Sequence, residues 1–466
     1  MHSFPPPDPT TGSHTSGMSD QAAARVPLMS RRRLLIGTAG SLVVVAGGIS
    51  AVYASGSRPR SAGSDVPTPT GGAATVPSSS SAPDSSVGQA TVPSTAAPPA
   101  AVDGRILVVL QLGGGNDALN TLIPVTGSYH DARPSLALAD DDLMALPFSS
   151  GYGLHPALSP LDPLLAAGQL GVVAGIGFDD PDRSHFKSLD MWWSAAPGET
   201  FRTGWIGRWL DATAMANDDP LRSIGLGGAV PALRAETARS IGVNEVAQFA
   251  LRDAASAPSL IDAWSALGPD HAAARRATEV FAGLTAPTGL PADLPADLPT
   301  EVGSDQPATE RLLTAAQLIA AEPDVRVIHV AVSGFDTHSN QLLTHERLLG
   351  DVAQGIARFQ SAIEASGHAD RVLLITTSEF GRRVVANGSG GTDHGKAGVQ
   401  LVVGRGVSVP SVFGSIDPTD QIDGDLRPLI DPRSLYATAL DWLSGQAAST
   451  TTDEVLGMAY ERLPFL

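Results

Sequence analysis

VRVIHVAVSG (residues 325–334), QLLTHERLLGDVAQGIARFQSAIEA (341–365) and RVLLITT (371–377) follow one another along the chain. The two outer stretches are short apolar runs rich in Val, Ile and Leu, the signature of strands buried on both faces. The middle stretch carries apolar residues at helical spacing and is long enough to cross back over a sheet. TERLLTAAQLIAAE (309–322) is a second helix, feeding the first of these strands. Strand and helix in alternation specify a mostly parallel, doubly wound α/β sheet sandwiched by helices. RILVVLQ (105–111), QLGVVAG (169–175) and GVQLVVG (398–404) read as further buried strands.

The remainder of the 466 residues is arranged around this core. Residues 1–29 are polar and Pro-rich. SRRRLLIGTAGSLVVVAGGISAVYA (30–54) has paired arginines ahead of a moderately apolar, Gly-containing run with no charge until Arg58. That is the pattern of a twin-arginine export signal, with an uncleaved membrane anchor as the alternative. Cleavage is expected after Ala54. Residues 55–102 are a Ser/Pro/Ala/Thr-rich tract with too little apolar surface to fold, read as a linker or stalk. The folded body is expected over 103–466. Within it, about 205–300 reads as a peripheral helical insertion ending in the repeat PADLPADLP (291–299), and 432–466 reads as helical.

Composition excludes several chemistries. There is no cysteine, so disulfides, Cys-zinc sites, iron–sulfur clusters and thiol nucleophiles are absent. Formal net charge is −18, and the first 54 residues carry four Arg against two Asp, so the body is more acidic still. General nucleic-acid binding needs the opposite charge.

Parallel sheets place ligands beyond the carboxyl ends of their strands, and every strand named above ends in titratable groups. RILVVLQ leads to LGGGNDALN with Asp117. QLGVVAG leads to Arg183, Ser184 and His185. VRVIHVAVSG leads to Asp336 and His338. RVLLITT leads to TTSEFGRRVVANGSGGTDHG (376–395), with Glu379, Arg382, Asp393 and His394. Histidines and carboxylates without cysteine suit a divalent metal, one or two ions, with zinc, manganese and calcium not distinguished. Asp117, Asp336, His338, Glu379, Asp393 and His394 are the candidate ligands. Ser184 is expected at a helix N-terminus, where an anion is favoured, with Arg183 and Arg382 to grip its oxygens. Structural alternatives stand beside these readings. Asp117 and Ser184 also suit plain helix caps, Glu379 suits a salt bridge to Arg382 or Arg383, and Gly113–Gly115 suit a tight turn. His329 reads as a satisfied core residue, His345 as solvent-facing, and Trp192 and Trp193 as packing residues.

SRRR, GGGNDALNTLIP, DRSHFKSLDMW, GFDTHSNQ and TTSEFGRRVVANGSGGTDHGKAG, in that order, resemble a twin-arginine-exported family catalogued as domain of unknown function 1501. That family is grouped with the alkaline phosphatase and sulfatase superfamily. The resemblance implies an alkaline-phosphatase-like sheet between helices and a two-metal site at the strand ends. It implies that Asp117 resembles the first-strand ligand, Ser184 the nucleophile, Asp336 and His338 an Asp-with-His pair, and His394 the last histidine. The superfamily's Asp-His pair falls on Glu379 and Phe380, and phenylalanine cannot ligate.

Two functions follow as expectations. One is an exported metal-dependent hydrolase of small phosphate or sulfate esters. Ser184 or a metal-bound water attacks in it, Arg183 or Arg382 neutralises the substrate, and His185 is a candidate general acid. The other is a non-catalytic envelope or binding protein that keeps the fold with a degenerate metal site. The expected partners are an anionic ester and the twin-arginine export machinery, with membrane contact only through an uncleaved signal segment.

Overall fold

The computed structural model describes residues 41–42, 49–53, 104–196, 202–213, 219–228, 230–244, 276–277, 279–281, 283–284, 306–322, 324–446 and 449–466. The expected 55–102 linker and most of the signal segment lie outside the described residues.

The central strand Ile106–Leu112 is buried along its whole length. Its side chains divide by the two-residue period of a strand. Ile106, Val108 and Leu110 join one apolar cluster, and Leu107 and Val109 join the other. Helices Ala308–Ala321 and Gln341–Ala365 supply the first cluster. Trp205–Ala212, Pro432–Ser444 and Thr450–Leu456 supply the second. The sheet is therefore covered on both faces. Each Val, Leu or Ile so enclosed contributes about 1.5–3 kcal/mol relative to exposure.

The sheet runs in the order Ser41–Leu42, Ile49–Tyr53, Ser240–Val243, Ser223–Leu226, Val327–Val332, Ile106–Leu112, Val372–Thr377, Gly398–Val403, Leu170–Ile176, Val412–Gly414. Among the described residues, only Ile49–Tyr53 and Gly398–Val403 run against the rest. The largely parallel α/β class expected from the sequence is what the chain forms. The strands leading to Asp117, Arg183, Asp336 and Glu379 are mutually parallel, so their carboxyl ends share one edge. Gly398–Val403 is reversed, so its entry brings His394 to that same edge.

The stretch expected as a helical insertion differs. It opens with the helix Trp205–Ala212, but Ser223–Leu226 and Ser240–Val243 are strands of the main sheet. Each is four residues long, too short for an apolar period to register in sequence. Ser41–Leu42 and Ile49–Tyr53, within the segment read as signal, pair at the sheet edge beside Ser240–Val243. No helix among the described residues is long and apolar enough to cross a membrane.

Candidate metal centre

Three of the strand-end loops meet at Asp336. Its Oδ1 lies 3.0 Å from His338 Nε2 and 3.0 Å from His394 Nε2, and those two nitrogens are 2.9 Å apart. Its Oδ2 lies 3.4 Å from His185 Nε2. One ligand atom each from His185, Asp336 and His394 falls within 4.8 Å of the others, a grouping able to hold a metal ion.

The outward face of each ring is already engaged. His185 Nδ1 donates to Glu379 Oε1 at 2.9 Å, and His394 Nδ1 donates to the Arg183 carbonyl at 2.8 Å. His338 Nδ1 donates to Asp393 Oδ1 at 3.3 Å. Three imidazoles therefore turn Nε2 toward a single carboxylate. A ring nitrogen given to a carboxylate or carbonyl oxygen is how metal-ligating histidines are oriented. Two atoms held about 2.0–2.1 Å from one tetrahedral ion lie about 3.3 Å apart, and the observed separations bracket that spacing. His185, Asp336 and His394 can share one divalent ion, with His338 beside them.

Burial pushes the Asp336 carboxyl up, but hydrogen bonds from His185, His394 and Arg382 outweigh it and hold the group well below the ordinary carboxylate range. Hydrogen bonds to Asp336 and then Glu379 raise His185 to about 9, so without an ion the ring keeps both protons and a metal at Nε2 would have to displace one. Phe380, where a second histidine was absent from the sequence, is buried and stacks on the His394 ring at 4.5 Å.

The remaining candidates are placed elsewhere, each for a physical reason. Asp117 does not reach Asp336. Its carboxylate takes both terminal nitrogens of Arg133, the Gln341 amide and the Leu119 N–H, all buried. It is a 3₁₀-helix cap joined to a buried ion pair. Arg133 also donates to the carbonyls of Val384 at 2.6 Å and Arg383 at 2.7 Å, pinning the 376–395 loop to the first strand. Glu379 and Asp393 stand behind His185 and His338 rather than beside Asp336. Arg382 is fully buried. It donates to the carbonyls of Gly114, Gly115, Phe335 and Thr392, and to Asp336 Oδ1 at 2.6 Å. Arg183 is half exposed and pairs with the buried Asp425 at 2.5 Å.

Ser184 precedes the helix His185–Ser194, and its side chain makes no cap hydrogen bond. Its backbone N–H is held instead by Asp182 Oδ1 at 2.8 Å. His185, expected only as a proton donor, is a member of the central group. His345, expected in solvent, is buried and bonds Asn116 Oδ1 at 2.9 Å. Gly113–Gly115 form the turn that lets the loops close together. A Cβ on Gly114 would lie 2.3 Å from the Asp336 nitrogen, and one on Gly115 2.4 Å from the Phe380 ring. Arg133, Gln341 and Asp425 carried no signal in sequence, because each meets its partner across a long chain separation or in an unpatterned loop.

The fold and site together define an α/β protein with a cluster of His185, Asp336 and His394, able to hold a metal ion, at the carboxyl edge of its sheet. Residues 179–455 match the family described as a protein of unknown function, DUF1501, and the chain belongs to that family. Among curated proteins none matches the chain. Similar solved structures include a protein in the alkaline phosphatase superfamily from Vibrio parahaemolyticus, at 9% identity and a TM-score of 0.35, covering 75% of this chain and 68% of that one. The C-terminal periplasmic domain of EptC from Escherichia coli, in complex with Zn, is similar at 9% identity and a TM-score of 0.33, covering 66% and 74%. The alkaline phosphatase of the Antarctic bacterium TAB5 is similar at 9% identity and a TM-score of 0.31, covering 74% and 100%.

Proposed function

We propose that the chain is an exported, metal-dependent hydrolase of phosphate or sulfate esters, reaching its compartment by the twin-arginine route. The observation that carries this reading is the turning of three Nε2 atoms onto Asp336, each ring fixed from behind by an oxygen acceptor. Asp336, His338, His394 and His185 would hold the ion. When bound, it supplies Lewis-acid stabilisation of negative charge on an ester oxygen. One ion suits this chain better than two, because Arg133 already neutralises Asp117, the carboxylate expected from the first strand.

The chain's own groups then have separate tasks. Ser184 presents a hydroxyl, uncommitted to capping, at the positive end of a ten-residue helix, the favoured place for an anionic ester. Arg183, half exposed, is the guanidinium at hand for the substrate's oxygens. Glu379, Asp393 and the Arg183 carbonyl fix the ring protons outward.

The test is turnover of aryl phosphates and sulfates by the exported protein with added zinc, manganese or calcium. Hydrolysis that Ser184→Ala lowers by at least a hundredfold supports the reading. Equal turnover in both proteins removes Ser184 from it. A second reading, a binding protein with a reduced site, is favoured by one observation: Arg382 is buried against five oxygens and cannot meet a ligand. It predicts metal binding without turnover.

A further inference from the structure

Gln341 is fully buried at the first position of the helix Gln341–Ala365. Asn340 before it turns the chain through the left-handed region, φ +49°, which asparagine tolerates. The helix therefore starts directly against the 376–395 loop, and the Gln341 N–H donates to the Gly390 carbonyl at 2.9 Å. The side chain is fixed at both ends of its amide. Nε2 donates to Asp117 Oδ2. A carboxylate paired with Arg133 only accepts, so the amide nitrogen must face it and Oε1 must face away. There Oε1 accepts two hydroxyls, Thr337 Oγ1 at 3.1 Å and Thr392 Oγ1 at 2.6 Å. Both threonines are buried.

Thr337 stands between Asp336 and His338, and Thr392 stands two residues before His394. One side-chain oxygen thus joins the two loops that carry those groups. The loops also meet directly. The Thr392 N–H donates to the Thr337 carbonyl at 3.2 Å, and Asn387 Nδ2 donates to the His338 carbonyl at 2.9 Å. A Cβ on Gly391 would lie 2.3 Å from the His338 carbonyl carbon. We propose that Gln341 is a positioning residue for the metal centre: it locks the loop of Asp336 and His338 to the loop of His394, and so sets the spacing of their ligand atoms. An amide satisfied within one loop would order that loop alone. This one spans three segments far apart in the chain, at Asp117, Thr337 and Thr392. Asp117 enters by fixing which end of the amide meets the threonines. The effect on metal rests on the metal-centre reading above, whereas the lock between the loops stands without it.

Gln341→Met keeps the side-chain length and removes the acceptor, and two measurements on the full chain separate the lock from the centre. Hydrogen exchange of the Thr392 amide in metal-free protein reads the lock. It should speed up about tenfold relative to the amides of Ile106–Leu112, which report global opening. An unchanged ratio overturns the proposal. Zinc affinity of the folded protein reads the positioning. Its Kd should rise about tenfold, the lower end of the effect of losing a group that orients a ligand. The rise should pass through the hydroxyls. Thr337→Val/Thr392→Val should weaken zinc to a similar degree, and Gln341→Met added to it should change Kd by less than about twofold, because groups in one network are not additive. Losses that multiply, or lower stability with an unchanged Kd, contradict the positioning role. Wild-type protein that takes up no zinc contradicts the metal centre, and the exchange ratio still judges the lock.

Discussion

Asp117 and Asp336 both follow central strands, and their neighbours assign them opposite roles. Asp117 faces a guanidinium and an amide, with both oxygens consumed; burial pushes its carboxyl up, but the charge and hydrogen bonds of Arg133, with His345 and Gln341, together hold it below the ordinary range. Asp336 is 44% exposed at its side chain and faces three imidazoles. Breaking a buried pair strands the remaining charge, so Asp117→Asn should lower unfolding free energy by about 3–5 kcal/mol. Metal stoichiometry of the folded fraction should not change. Urea denaturation alongside metal analysis checks both; loss of metal without loss of stability would make Asp117 a ligand after all. Gly114 tests close packing at the same scale. Its φ of +119° and its approach to Asp336 exclude a side chain, so Gly114→Ala should cost at least about 2–3 kcal/mol by the same assay.

Among the elements, the helix His185–Ser194 separates capping from chemistry. A serine that caps loses about 1 kcal/mol on conversion to alanine. Ser184 makes no such bond, so Ser184→Ala should shift stability by less than about 0.5 kcal/mol while acting on turnover. Thermal unfolding measures the first, and a shift of a full kcal/mol would restore the plain-cap reading. The long strands and crossover helices were legible because each repeats one period over many residues: Ile106–Leu112, Val327–Val332 and Val372–Thr377 are apolar throughout. Ser223–Leu226 and Ser240–Val243 were not, since four residues containing Gly and Ser resemble a loop until a neighbour pairs with them. The site was legible as a set of strand-end residues. Which member faces the centre and which stands behind it was not, because that depends on side-chain direction in loops. His185 and Glu379 exchanged roles for this reason.

At the scale of the whole molecule, three buried histidines make stability depend on pH. Burial lowers His329 and His345 to about 3 and His155 to about 4. The unfolded chain protonates these rings near 6.5 and the folded one does not, so the stabilisation is complete above 6.5 and is lost as pH falls toward 3 to 4. Each histidine contributes a slope of up to about 1.4 kcal/mol per pH unit in that window. Denaturation midpoints from pH 7.5 to 4.5 should decline steeply below 6.5, and a flat profile would contradict the burial of these rings. The central claim is also one of the whole molecule: loops from distant parts of the chain close on one ion. Elemental analysis of the exported, folded protein tests it most directly, with His338→Ala/His394→Ala as the control. One equivalent of a divalent metal in the native protein, lost in the folded double variant, is the result this account predicts. Native protein that stays metal-free after zinc, manganese and calcium are supplied would contradict it.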